Sequence, residues 1–476
     1  MDSDSPAGPR WRVLSAPFLH LCNHPVSLTG VVLVTTGAVL WLFLLPIYIR
    51  GLVPHPYLGI LLFLIFPGIF FAGLVLIPLG VWLRYRKERK QGPVHWAEPA
   101  RWNTTDVRRI ALFVGVTTLA NIVIGLQFTY RAVSYMDGVT FCGLTCHRIM
   151  KPEYTAYHAS PHSRVECVAC HIGPGASWFV KSKMSGVNQV FNYALNTYPR
   201  PIPTPVTSLR PARETCEACH WPARFSGDRL RVITKFGDDE KNTMTKTVLM
   251  MHIGGGNGGP GIHGRHVGAG VQVEYASDPS RQNIAWVRYR SADGKVTEFR
   301  SADAKPGVEN TLEHRVMDCI DCHNRPSHNF QLPERALDDA MLNSLVPASL
   351  PFVHKEALEV LKKPWKTKDE GLAGVPAAIS GYYRNRPDAA PADVQRAASA
   401  VAAIWDRNIY PEMRIDWGTY PNNLGHADFP GCFRCHDGSH SSSGGDSITQ
   451  DCESCHHVLA VEESSPKILT DLGVSQ

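Results

Sequence analysis

The stretch Phe141-Cys142-Gly-Leu-Thr-Cys146-His147-Arg-Ile-Met150-Lys-Pro152-Glu-Tyr154, followed by Cys167-Val-Ala-Cys170-His171, decides how the whole chain is read. A cysteine pair with histidine directly after it recurs four more times: Cys216 and Cys219 with His220, Cys319 and Cys322 with His323, Cys432 and Cys435 with His436, and Cys452 and Cys455 with His456. Only the first pair has a three-residue spacer. Two thiols on one short turn can add across the two vinyl groups of a porphyrin while the next residue sets its imidazole on the iron, so this spacing is the attachment signature of c-type haem. Disulfides and zinc knuckles also use paired cysteines, but neither needs a histidine after every pair. The sequence therefore predicts six covalently bound haems c, using 12 of its 13 cysteines, with His147, His171, His220, His323, His436 and His456 as proximal ligands. Cys22 is left over and reads as a reduced, inert thiol.

Six irons can take six further axial ligands. Of the non-motif histidines beyond residue 130, those in glycine- or proline-marked turns near motifs are the candidates: His158, His162, His263, His266, His314, His328, His426 and His440. His354, in Lys-Glu-Ala-Leu-Glu-Val-Leu, reads instead as a surface position on a helix. An iron with both axial positions filled by imidazole exchanges electrons without binding substrate, so this supply of histidine points to an electron carrier.

Outward from the motifs, the chain changes character. Lys and Arg number 48 against 43 Asp and Glu, a net +5, which is too mild and dispersed to argue for a nucleic-acid partner. A mean hydropathy of −0.13 hides a sharp split between an apolar first 130 residues and a polar remainder. Residues 26–49, 57–83 and 110–130 are uncharged runs close in length to the ~20 residues a bilayer core requires, so three transmembrane helices are expected. Residues 84–109 carry Arg84, Arg86, Lys87, Arg89, Lys90, Arg101, Arg108 and Arg109, which by the positive-inside bias places that loop and residues 1–25 in the cytoplasm. Everything beyond residue 130 then lies outside. The expected organisation is a membrane anchor over 26–130, a haem region over 131–228 with the first three motifs, a small β insertion over 229–300 with strand-like alternation, and a second haem region over 301–476. Residues 335–408 read as helical segments. With so few apolar side chains per haem, the body should be low in regular secondary structure and take much of its core from the porphyrins.

The run from Cys142 through Met150, Pro152, Tyr154, Tyr157 and His162 to Cys170-His171 resembles the NapC/NirT family of membrane-anchored multihaem quinol dehydrogenases. The three-helix anchor and the number of motifs are closer to the larger, ImcH-like inner-membrane members. The resemblance implies a bacterial inner-membrane protein that oxidises quinol, menaquinol for instance, beside the first haem and relays electrons to a periplasmic cytochrome or reductase in anaerobic or extracellular respiration. It implies that either Met150 or His147 ligates the first iron, and that Lys183 lies at the quinol site. The acidic residue that should follow Lys183 is missing, since residues 184–197 hold no Asp or Glu and Asn188 or Gln189 stands there instead. Two alternatives belong to other classes: a relay subunit of a larger membrane complex with no quinol site of its own, and a terminal reductase with an open haem.

Overall fold

The computed structural model describes residues 24–49, 64–90, 104–145, 149–173, 176–206, 209–221, 227–255 and 261–474. It divides into two units, residues 1–146 and 147–476.

The first unit contains helices α1 (Pro25–Ile49), α2 (Phe66–Lys90) and α3 (Thr104–Asp137). Over Pro25–Leu42 and Phe66–Lys87, α1 and α2 are long and apolar enough to cross a membrane, and among the described residues they are the two helices that meet that condition. α3 encloses the third expected span and continues to Asp137. Helices α1 and α2 meet through small residues: a Cβ added to Gly30 would lie 2.7 Å from the Gly73 carbonyl oxygen, and one added to Gly73 would lie 2.7 Å from that of Gly30. Ser27 Oγ donates to the Ile77 carbonyl at 2.9 Å. Lipid supplies no hydrophobic force to press helices together, so close backbone approach and such polar contacts hold the pair. Most remaining apolar side chains, Val32 and Val75 among them, face outward. Beyond α3 a π-helical turn, Phe141–Thr145, carries Cys142.

In the second unit, short helices α4 (Lys151–His158), α5 (Cys167–His171) and α7 (Ala212–Cys216) flank the longer α6 (Ala176–Ala194). Strands β1 (Arg229–Phe236) and β2 (Met244–Met251) follow, then α8 (Ile262–Val267), β3 (Gln272–Ser277), β4 (Ile284–Arg290), β5 (Val296–Ser301), β6 (Glu313–Val316) and α9 (Cys319–Cys322). Next come α10 (Pro333–Leu342), α11 (Val353–Leu361), α12 (Lys368–Tyr383) and α13 (Pro391–Asn408), and last β7 (His440–Ser441), β8 (His456–Glu463) and α14 (Lys467–Asp471). The strands form two sheets, ordered β1-β2-β8 and β6-β3-β4-β5-β7, and every pairing is antiparallel. Strand structure starts at 229 as the alternation suggests, yet neither sheet is a self-contained insertion. β8 covers the free edge of β2, pairing Val248 with Ala460 and Met251 with His456, and β7 covers that of β5. An uncovered edge would leave a row of unpaired backbone groups.

Helices α10–α13 build a core from their own side chains. Leu337, Leu361, Val375, Ile379, Val401 and Trp405 are all buried there. Gly371 lets the Trp405 ring rest on the α12 backbone, since any Cβ at that position would overlap the indole. His354 is not a surface residue. It is 6% exposed, with Nδ1 2.8 Å from Asp238 and Nε2 3.4 Å from Asp338, because α11 turns it inward against the β1–β2 connection.

Candidate functional site

The local geometry of the motifs follows from their spacing. In one motif after another the chain makes a single tight turn, and the histidine backbone N–H donates to the carbonyl of the first cysteine: His220 to Cys216 at 2.7 Å, His323 to Cys319 at 2.9 Å and His436 to Cys432 at 3.1 Å. Both cysteines of a pair thus lie on one turn. Asp318 and Asp451 cap two of these turns, accepting from the backbone N–H of Ile320 and of Glu453. None of the eleven described motif cysteines is in a disulfide. Burial pushes the thiol of Cys322 up to about 11 and that of Cys435 up to about 12, so neither is a thiolate at neutral pH.

Each described motif histidine faces one histidine from elsewhere in the chain. Ring centres are 6.1 Å apart for His171 and His328, 6.0 Å for His220 and His162, 6.3 Å for His323 and His263, 5.8 Å for His436 and His266, and 6.1 Å for His456 and His426. An iron held between two imidazoles by bonds of about 2 Å, with about 1 Å more from each nitrogen to its ring centre, sets the rings about 6 Å apart. A sixth histidine contact, His252 with His457, is closer at 4.6 Å and leaves no such gap. Nδ1 is engaged by a backbone carbonyl in four of the paired rings: His162 with Pro326 at 3.1 Å, His328 with Glu153 at 3.0 Å, His266 with Ile262 at 2.8 Å and His436 with Thr449 at 2.7 Å. Such a bond orients the ring and leaves Nε2 as the nitrogen for a metal. Burial lowers the pKa of His171, His263, His266, His323 and His456, favouring the neutral form whose lone pair binds iron.

Residues 104–201 match the NapC/NirT cytochrome c family, N-terminal region. Over 449 residues the chain is 38% identical to cytochrome c-type protein ImcH of Geobacter sulfurreducens, covering 92% of this chain and 88% of that protein. The chain belongs to the NapC/NirT cytochrome c family, among its ImcH-like members. No solved structure matches it. Its cofactor is accordingly covalently bound haem c, and it is a membrane-anchored cytochrome of electron transport. Cysteine pairs outside any disulfide and the histidine spacings fit that group.

The cysteines of this family member also report which motifs are neighbours. Cys170 lies near Cys219, Cys216 hydrogen-bonds with Cys319, Cys322 lies near Cys432 and Cys435, and Cys432 lies near Cys455. The second to sixth motifs are therefore neighbours in sequence order.

Other candidates lie apart from these pairs. His314 has Nδ1 3.1 Å from Glu274 and Nε2 2.9 Å from the Glu309 carbonyl, and His440 is buried with Nε2 2.9 Å from the Ile284 carbonyl and Nδ1 3.2 Å from Asp437. Both ring nitrogens are thus occupied in each. His158 packs edge-on to Tyr154 and Tyr157. Cys146 and His147 lie outside the described residues, as does the side chain of Lys183. Met150 precedes α4 as its N-cap. Gln189 is exposed on α6, bonded to Ser185 at 3.4 Å. Sequence reasoning passed over Glu153, which orients His328 through its carbonyl and pairs with Arg325 at 3.3 Å. It also passed over the group of His252, His457 and Asp228, where His457 directly follows a motif histidine and so carried a signal.

Proposed function

We propose that the chain is an inner-membrane hexahaem cytochrome that oxidises quinol and relays electrons to a periplasmic acceptor. The observation that supports this reading most is the set of five histidine pairs with ring centres 5.8 to 6.3 Å apart. On this reading His162, His263, His266, His328 and His426 are the distal ligands, and His314 and His440 hold the fold. Haem c, when bound, cycles between ferric and ferrous iron. Rings clamped on both sides leave no room for a substrate, which counts against a terminal reductase. The neighbouring motifs favour a relay running from the second to the sixth.

The first motif stands next to the anchor in sequence, with His147 or Met150 offered to its iron. In this scheme α1, α2 and α3 are three spans, residues 84–109 are cytoplasmic and the haem-bearing body is periplasmic. Helix α6 carries Lys183 and exposes Met184, Val187, Val190 and Phe191, the surface expected of a helix lying where quinol is available. Lys183 would hold a quinol oxygen there, and the two protons released with two electrons would leave without a carboxylate on residues 184–197. That missing acid favours the second reading, a relay subunit fed by another membrane protein.

The test is reduction of the purified holoprotein by a menaquinol analogue, followed by visible absorbance. Fast reduction that a quinone-site inhibitor blocks and Lys183→Ala slows at least tenfold is the expected result. Reduction by dithionite but not by quinol would leave only the relay subunit.

A further inference from the structure

Arg434 is the residue before the second cysteine of the fifth motif, Cys432-Phe433-Arg434-Cys435-His436. Its guanidinium donates in three directions, to carbonyl oxygens of three separate segments: Nε to Gly431 at 2.9 Å, Nη1 to Arg281 at 2.7 Å and Nη2 to Asp321 at 2.7 Å. Gly431 opens the fifth motif's own turn, Arg281 lies between β3 and β4, and Asp321 is the equivalent residue of the fourth motif, Cys319-Ile320-Asp321-Cys322-His323. Asp321 is itself fixed. Its buried carboxylate accepts from Tyr275 Oη at 2.6 Å, from Arg315 Nε at 2.8 Å and from the Asp318 backbone N–H at 2.7 Å, while Asn423 Nδ2 shares its carbonyl at 3.3 Å.

The opposite side of the same two motifs is tied as well. His263 and His266, three residues apart on α8, face His323 and His436. One short helix therefore supplies a ring to each of two neighbouring motifs whose attachment turns already share one guanidinium. No other described pair of adjacent motifs takes its facing rings from one helix.

We propose that Arg434 is the positioning residue that locks the fourth and fifth haem attachment turns together, so that these two haems form a rigid, electronically coupled pair within the relay. This rests on the ligand assignment made above. The role needs arginine, because lysine is a point donor that cannot span three carbonyls at once. The fixed positive charge held between the two attachment turns would also favour the ferrous forms of the haems they carry.

The test compares holoprotein with Arg434→Lys and Arg434→Met by equilibrium redox titration and by electron paramagnetic resonance of the ferric state. Arg434→Met should lower the reduced-to-oxidised ratio of two haems about tenfold at fixed potential, a 59 mV shift for a one-electron centre, and leave the others within about twofold. Arg434→Lys should restore that ratio yet still weaken the spin–spin interaction between two low-spin haems. A shift confined to one haem, a shift spread evenly over all, or an interaction unchanged in Arg434→Lys would overturn the proposal. If Arg434→Met loses haem, the Lys variant's interaction signal decides alone. Wild-type protein with fewer than five low-spin haems would instead refute the ligand assignment.

Discussion

Replacing His328 by alanine removes the ring facing His171 and nothing else that the fold depends on. The two ring centres are 6.1 Å apart, so an iron midway lies about 3 Å from each, and an alanine methyl at residue 328 has no donor to offer it. His328 is held by the Glu153 carbonyl at 3.0 Å and a carboxylate contact at 3.4 Å, and Glu153 keeps Arg325 after the substitution. The expected result is one haem per protein turned five-coordinate and high-spin, with one additional equivalent of carbon monoxide bound in the reduced state. Haem content by the pyridine haemochrome assay should stay at the wild-type value, because attachment uses Cys167 and Cys170. His314→Ala and His440→Ala serve as opposing controls: each removes a histidine with both nitrogens engaged by protein, and each should bind no extra carbon monoxide. A high-spin haem in His314→Ala, or none in His328→Ala, would refute the inference from ring spacing to ligation.

Two further outcomes are expected elsewhere in the molecule. Burial works to lower the pKa of His354, but its bonds to Asp338 and Asp238 outweigh this and raise it, so its contribution to stability is full below the unfolded histidine value and fades as pH rises through the folded one. Thermal melts of the holoprotein should therefore show a pH-dependent loss above about pH 6.5 that His354→Leu abolishes, at a cost of about 1–3 kcal/mol at acidic pH. Gly73→Leu should wedge α1 from α2, since a Cβ there already meets Gly30 and Val34, and should lower the melting temperature of the detergent-solubilised protein while Val75→Leu on the outward face leaves it unchanged.

Much of the site was legible because attachment chemistry is local: five residues carry the thiols and the proximal ring, and no tertiary contact is needed to recognise them. Five of the eight distal candidates face a motif ring, while His314 and His440 answer to the same turn signals but meet protein partners. What separates them is long-range pairing, as when His328 meets His171 across more than 150 residues, and no local pattern encodes that. His354 misled for a related reason. Its helix is charged on one face, but α11 is covered by α10, α12 and the β1–β2 turn, so the polar ring is buried with carboxylates. The strands were visible as alternation over 229–300, whereas their completion by β7 and β8 depended on residues more than 130 positions later.

The pairing of β8 with β2 also sets an order of events in time. β2 ends at Met251 and its partner does not begin until His456, so a ribosome must add some 200 residues before that edge can be closed. The last haem-attachment turn, Cys452–Ser454, immediately precedes β8. The sheet therefore cannot finish until the final motif has been synthesised. A chain cut short before residue 456 would carry a bare strand edge, a surface suited to aggregation and to quality-control proteolysis. Closure of this three-stranded sheet thus requires the chain to reach β8.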